Sequence, residues 1–227
     1  MNKFTIKQSL FKQSFPPIVV TTLDERLLER YILLSFLHTD DDDGKIGVSA
    51  VYGNRCAITS IAFATFTSTL IIRFAKQHGR RALTLIKECI LNNSRYTKYA
   101  FKMDTFALSL FTDLSLQISD AVDLLSSGIT GNRHSLETLM GVMGGEAVLH
   151  RHNVKNLFFT DTKEMSPSDV AMQAWAAYLV AAISDTTSIP RIDTFRLTRK
   201  ACCFRAASLL LILSIVLAIG ILGQNCA

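Results

Sequence analysis

His150 and His152 stand two residues apart, with Asp161 and Glu164 downstream. Imidazoles and carboxylates are the donors a transition-metal ion takes. On a helix, however, an i, i+2 spacing sends the two rings to different sides, where i, i+4 would let them converge. The stretch therefore reads as solvated surface. Asp40 to Asp43, followed by Gly44, offer oxygens of the kind calcium prefers, but the EF-hand spacing and its terminal Glu are missing, so mutual repulsion makes the run an open loop. GVMGGE (141–146) is rich in glycine but lacks a lysine and follows no strand, and neither G-x-S-x-G nor a dinucleotide fingerprint occurs. Cys89 has no neighbouring histidine to activate it. No catalytic set, no metal and no cofactor is expected, and the chain is expected not to be an enzyme.

The elements that would hold such groups start from the end of the chain. LTRKACCFRAASLLLILSIVLAIGILGQNCA runs from Leu197 to Ala227 and is uncharged from Ala206 to Gly223. At ~1.5 Å per residue that run makes about 27 Å of helix, close to the ~30 Å of a bilayer's hydrocarbon core. Leu209, Leu210, Ile215, Val216 and Ile219 fill it, and Arg191, Arg196, Arg199, Lys200 and Arg205 all precede it. The positive-inside bias then predicts a tail anchor over 206–223 with a cytosolic body over 1–200. The N-terminus carries lysines but no continuous apolar stretch, so no secretory signal is legible. Cys202 and Cys203 sit at the anchor, where they are either S-palmitoylated or two small apolar residues. The net charge of +5 gathers near the anchor and in RFAKQHGRR. A basic face interleaved with aromatics is absent, so lipid headgroups rather than nucleic acid are the expected partner.

Periodicity in the body points to helices throughout. Leu27, Leu28, Tyr31 and Leu34 repeat at helical spacing after a cap near Thr22. Cys56 to Ile72 is uncharged, but its serines and threonines favour a buried helix over a second membrane span. YAFKMDTFALSLFTDLSLQISDAVDLLSSGITG gives two helical patterns broken at Asp113 to Ser115. Ser166 and Pro167 open a helix whose interior, Val170 to Ile183, is apolar on nearly every side. No segment sustains alternation. The expected fold is all-α, a helical bundle around a central apolar helix hairpin with a C-terminal transmembrane helix.

ERLLERYILLSFLHTDDDDG, LFTDLSLQISDAVDLLSSG and KEMSPSDVAMQAWAAYLVAAISDTTSIP, in that order before an anchor, resemble the Bcl-2 family of apoptosis regulators in a divergent, viral-like form. Tyr31 and Ile32 stand at the first helix's aromatic–aliphatic pair. Leu110, Phe111, Asp113, Val122 and Gly128 match the first homology motif, and Trp175, Tyr178 and Leu179 match the sixth helix. NLFFTD at Asn156 to Asp161 offers a competing registration that leaves too few residues before the anchor. Where the family's motif has Asn-Trp-Gly-Arg this chain has Gln117, Ile118, Ser119 and Asp120, so an aspartate stands in the arginine's place.

The resemblance implies a groove for amphipathic death-motif helices of other family members, lined by Leu110, Phe111, Asp113, Asp120 and Val122 with Leu125 beneath. It also implies mitochondrial outer membrane or endoplasmic reticulum as the location. The alternative is a tail-anchored viral or organellar scaffold that recruits partners to a membrane.

Overall fold

IVVTTLD, ITSIAFA and STLIIR are rich in β-branched residues, which suit a pleated, packed surface. All three are strands. The computed structural model describes residues 1–38, 43–53, 57–75, 79–126, 132–159 and 165–183, with the strand backbone of 192–194. Its centre is an eight-stranded mixed sheet. The strands are β1 (Asn2–Ile6), β2 (Ile18–Asp24), β3 (Lys45–Tyr52), β4 (Ile58–Ala64), β5 (Ser68–Arg73), β6 (Thr97–Ala100), β7 (Ser119–Asp123) and β8 (Ile192–Thr194), laid out in the order β1-β2-β5-β4-β3-β6-β7-β8. β3, β4 and β5 form an antiparallel meander. On the other side of β3, β6 and then β7 add in parallel, and β8 closes the edge antiparallel.

Helices α1 (Arg30–Leu37), α2 (Arg80–Ile86) and α3 (Met103–Leu114) share one core with the sheet, in which Leu33, Ile86 and Leu110 join Ile46, Phe63 and Ile72. The opposite core gathers Leu10, Leu139 and Trp175 with Ile18, Ala62 and Val122. It belongs to α4 (Leu136–Val142), α5 (Arg151–Phe159), α6 (Pro167–Ile183) and the N-terminal segment. Alternate residues of β3 divide accordingly: Ile46, Val48 and Ala50 lie in the first core, while Val51 packs against the second.

Burial on both faces overturns the all-α expectation. A strand covered on both sides reads as an unbroken apolar run, without the alternation that marks a half-exposed strand. Cys56 to Ile72 is the extreme case: the described part of it forms β4 and most of β5 rather than a helix. Tyr99, Ala100 and Ser119 to Asp123, expected in helices, lie in β6 and β7. The break near Asp113 is real, because Ser115 ends α3 in the left-handed region at φ 55°.

α6 begins where its sequence signals, with Ser166 Oγ accepting from the Asp169 amide at 3.2 Å. It is buried along most of its length, but inside an α/β sandwich and not at the heart of a bundle. Alanines at 171, 174, 176, 177 and 181 let its backbone press on the sheet. The closest approach is at Gly47 of β3, where an added Cβ would lie 1.9 Å from the Ala174 carbonyl oxygen. Trp175 crowns the far side, its indole N–H donating to the Phe66 carbonyl at 2.8 Å and its ring edge-on to Phe11 and Phe15.

The single-pass expectation is corrected on the described residues: no helix among them is long and apolar enough to cross a membrane. The expected anchor over 206–223, with Leu209, Leu210, Ile215, Val216 and Ile219, lies outside the described residues, as do Cys202 and Cys203.

Candidate functional site

β3 and β6 are neighbouring parallel strands whose chains leave in opposite directions. β3 turns back into β4, whereas β6 runs on through α3 to β7. Open α/β sheets bind ligands in the crevice outside the carboxyl ends of strands at such a switch point. A cleft of about 260 Å³ lies at this place, bounded by β3, the start of α3, α5 and α6.

The walls come from segments far apart in the chain. Ser49 lies between Val48 and Ala50 on β3, and its hydroxyl donates to Gln173 Oε1 of α6 at 2.9 Å. The Gln173 amide nitrogen in turn donates to the Leu157 carbonyl of α5 at 2.9 Å. The floor is thus a neutral hydroxyl–amide relay joining strand and two helices. Above it, Phe101 meets Phe158 edge-to-face with ring centroids 5.2 Å apart. Lys102, at the N-cap of α3, and Thr105 are exposed at the mouth. A second, more open groove of about 690 Å³ runs between the N-terminal segment and α5–α6 and shares Leu157 and Met165 with the cleft.

The neighbouring carboxylates are already engaged. Arg133 Nη2 lies 3.1 Å from Asp104 of α3 and bonds Asp123 at the end of β7. Burial pushes the Asp123 carboxyl up, against the pull of the Leu125 amide and Arg133. Lys98 of β6 is wholly buried, its ammonium donating to the carbonyls of Tyr96 at 2.7 Å and Asn93 at 3.1 Å. Burial lowers it from its ordinary 10.5 to about 8, with Asp120 opposing the shift.

The expected groove residues do not come together. Leu110 belongs to the core shared with α1–α3, while Val122 and Leu125 belong to the opposite core. Phe111 is half-buried on α3. Asp113, in the last turn of that helix, accepts from the Ile58 amide at 3.0 Å, and Asp120 sits in β7 at φ 48°. Other candidates separate too. His150 donates its backbone N–H to Leu10, and the His152 ring contacts Asn156 at 2.9 Å; Asp161, Glu164 and Asp40 to Asp42 lie outside the described residues. The thiol of Cys89 is buried and pushed up by that burial. The glycines of GVMGGE make a turn after α4, with Gly144 and Gly145 at φ 109° and 84°. Sequence reading missed Ser49, Phe101, Lys102, Phe158 and Gln173, none of which lies in a spacing that advertises chemistry.

No family model and no curated protein matches the chain. Among solved structures it is similar to the Aedes aegypti Nibbler EXO domain, at 12% identity over 71% of this chain and 84% of that one, with a TM-score of 0.48. It is also similar to the EXD2 exonuclease domain soaked in Mn and GMP, at 17% identity over 72% and 86% of the two chains, TM-score 0.37. The same domain soaked in Mg and dGMP gives 16%, 75% and 98%, TM-score 0.36. What this chain does has to come from its own side chains.

The sheet removes the Bcl-2 resemblance, and with it the death-motif groove, the apoptotic role and the scaffold alternative. The structures that this chain is similar to are exonuclease domains instead. The expectations of no enzyme and no nucleic acid, which rested on absent motifs and an absent basic face, do not stand beside that likeness.

The ions named for EXD2 raise a test of fit. Divalent cations that serve phosphoryl chemistry take hard oxygen ligands, usually including carboxylates. Among the described residues the cleft offers Ser49, Gln173, Thr105 and the Lys102 cation, with Asp104 held by Arg133. No group of three or more His, Cys, Asp or Glu there could hold a metal. The donor set does not fit.

Proposed function

We propose that the β3–β6 cleft binds the terminal nucleotide of a single-stranded nucleic acid; the ligands soaked into the EXD2 domains were the mononucleotides GMP and dGMP. The observation that supports this reading is the half-buried Phe158 ring, held edge-to-face by the buried Phe101, beside the exposed Lys102 ammonium at the sheet's switch point. Unstacked bases are gripped by aromatic faces for about 1–3 kcal/mol each, whatever their identity. Phosphates are attracted by ammonium groups and by helix N-termini, and the first turn of α3 opens at the cleft mouth. The cleft lies just under the ~300–1,000 Å³ of drug-sized pockets, room for a terminal nucleotide and not for a duplex.

Binding of a labelled single-stranded oligonucleotide to the full chain, followed by fluorescence anisotropy across a salt series, tests the reading. Lys102→Glu is expected to weaken binding about tenfold and to lower the salt slope by about one. Because Lys102 is exposed, the fold should survive the change. An oligonucleotide that fails to bind at low salt, or a variant that binds with unchanged affinity and slope, would remove the proposal.

A further inference from the structure

The neutral floor of the cleft bears on what the site can bind. We infer that the cleft holds its ligand without a divalent cation, the Ser49–Gln173 pair occupying the floor with neutral groups and Lys102 supplying the positive charge. The identity of the ligand rests on the reading above; the metal independence rests on the donors themselves.

A cation lodged between strand and helix would need anionic oxygens from both. β3 offers an alcohol, and α6 offers a primary amide. That amide's oxygen accepts from Ser49 and its nitrogen donates to the Leu157 carbonyl, and the second bond fixes the direction in which the oxygen faces. Reorienting the side chain to coordinate would break both bonds and leave the Leu157 carbonyl without that donor.

The described carboxylate at the rim is no freer. Asp104 has the Arg133 guanidinium at 3.1 Å, and the same guanidinium binds Asp123, so an incoming cation would have to displace a fixed positive charge. Lys102 adds another at the mouth. Two-metal sites hold their ions ~3.5–4 Å apart, which demands dense negative charge. Here the described charges, Lys102 and Arg133 against Asp104 and Asp123, cancel, and no net negative charge is left to hold such ions.

Mn²⁺ titration of the metal-stripped full chain by calorimetry, with no nucleic acid present, is the deciding experiment. The wild type is expected to take up no tightly bound Mn²⁺. Ser49→Asp with Gln173→Asp, which sets two carboxylates where the 2.9 Å hydrogen bond now lies, is expected to gain a saturable site and a melting temperature that rises with Mn²⁺. Should that double variant fail to fold, the wild-type titration still decides. Oligonucleotide affinity at matched ionic strength should agree within about twofold between EDTA and Mn²⁺. Micromolar uptake of Mn²⁺ by the wild type, or affinity lost in EDTA and restored by Mn²⁺, would overturn the inference. If no oligonucleotide binds under any condition, the ligand reading fails, and the Mn²⁺ titration still judges the metal claim by itself.

Discussion

The two sides of β3 are built from different materials. Toward β4 and β5 the chain folds back in short antiparallel turns, and its strands are filled by Ile61, Ala62, Phe63, Leu70, Ile71 and Ile72. Toward β6 and β7 the strands are parallel, and β6 and β7 are joined through α3. Buried ionisable groups lie within the strands themselves, Lys98 in β6 and Asp123 in β7, whereas the buried Glu25 of the other side follows β2 and accepts from the Ala75 amide. The cleft opens on this second side. Apolar strands can be stacked with little electrostatic cost, whereas a buried charge must be matched by fixed partners. The polar side is therefore where the fold carries specific, directional contacts, and there a ligand can be recognised.

Gly47, on the shared strand, should give the largest effect of any single change. Gly47→Val forces a side chain into the space of the Ala174 carbonyl, 1.9 Å from where its Cβ would stand, and both sides of the sandwich depend on that contact. Loss of more than about 4 kcal/mol, or failure to fold, is expected in urea denaturation followed by circular dichroism. A variant with near-native stability would show that α6 can slide along the sheet.

Phe63→Ala should come next, at about 3–5 kcal/mol, since a fully buried ring leaves a cavity between β4 and the α1–α3 layer. No charge is involved, so the loss should be flat between neutral and alkaline pH in the same assay. A loss that changed with pH would break the contrast between the two sides.

The smallest effect, and the one that sharpens the contrast, belongs to Lys98. It titrates at about 8 when folded against an ordinary 10.5, so between those values the unfolded chain holds the extra proton. Stability should accordingly rise with pH through that window, by up to roughly 3 kcal/mol, because each tenfold loss of proton affinity on folding is worth ~1.4 kcal/mol. Lys98→Met should abolish the rise. At neutral pH it should change stability by only about 1 kcal/mol in either direction, because a removed buried charge is offset by the carbonyls of Tyr96 and Asn93 losing a donor. A wild-type profile flat from pH 8 to 10.5 would mean that the ammonium is better solvated than its burial implies.

Legibility followed burial. α6 announced its start because capping is a local matter settled by Ser166, Pro167 and Asp169 within a single turn. The stop after Leu114 was equally local. β4 and β5 were unreadable for the opposite reason: with both faces covered, ITSIAFA and STLIIR lack the period-two pattern and pass for pieces of a buried helix. The cleft had even less to show. Ser49 and Gln173 are ordinary residues in ordinary places until a strand and a distant helix are brought within 2.9 Å.

By itself the amino-acid sequence determined where α6 begins, where α3 ends and which segments must leave water. These follow from interactions among residues a few positions apart, or from apolarity that any fold must bury. Only the tertiary structure decided that the apolar segments lie beside one another as strands. It alone decided that Gly47 is where helix and sheet touch, and that the expected groove residues fall on opposite faces of that sheet. Strand pairing joins residues far apart in the chain, and its energy resides in neighbours that a linear reading does not contain.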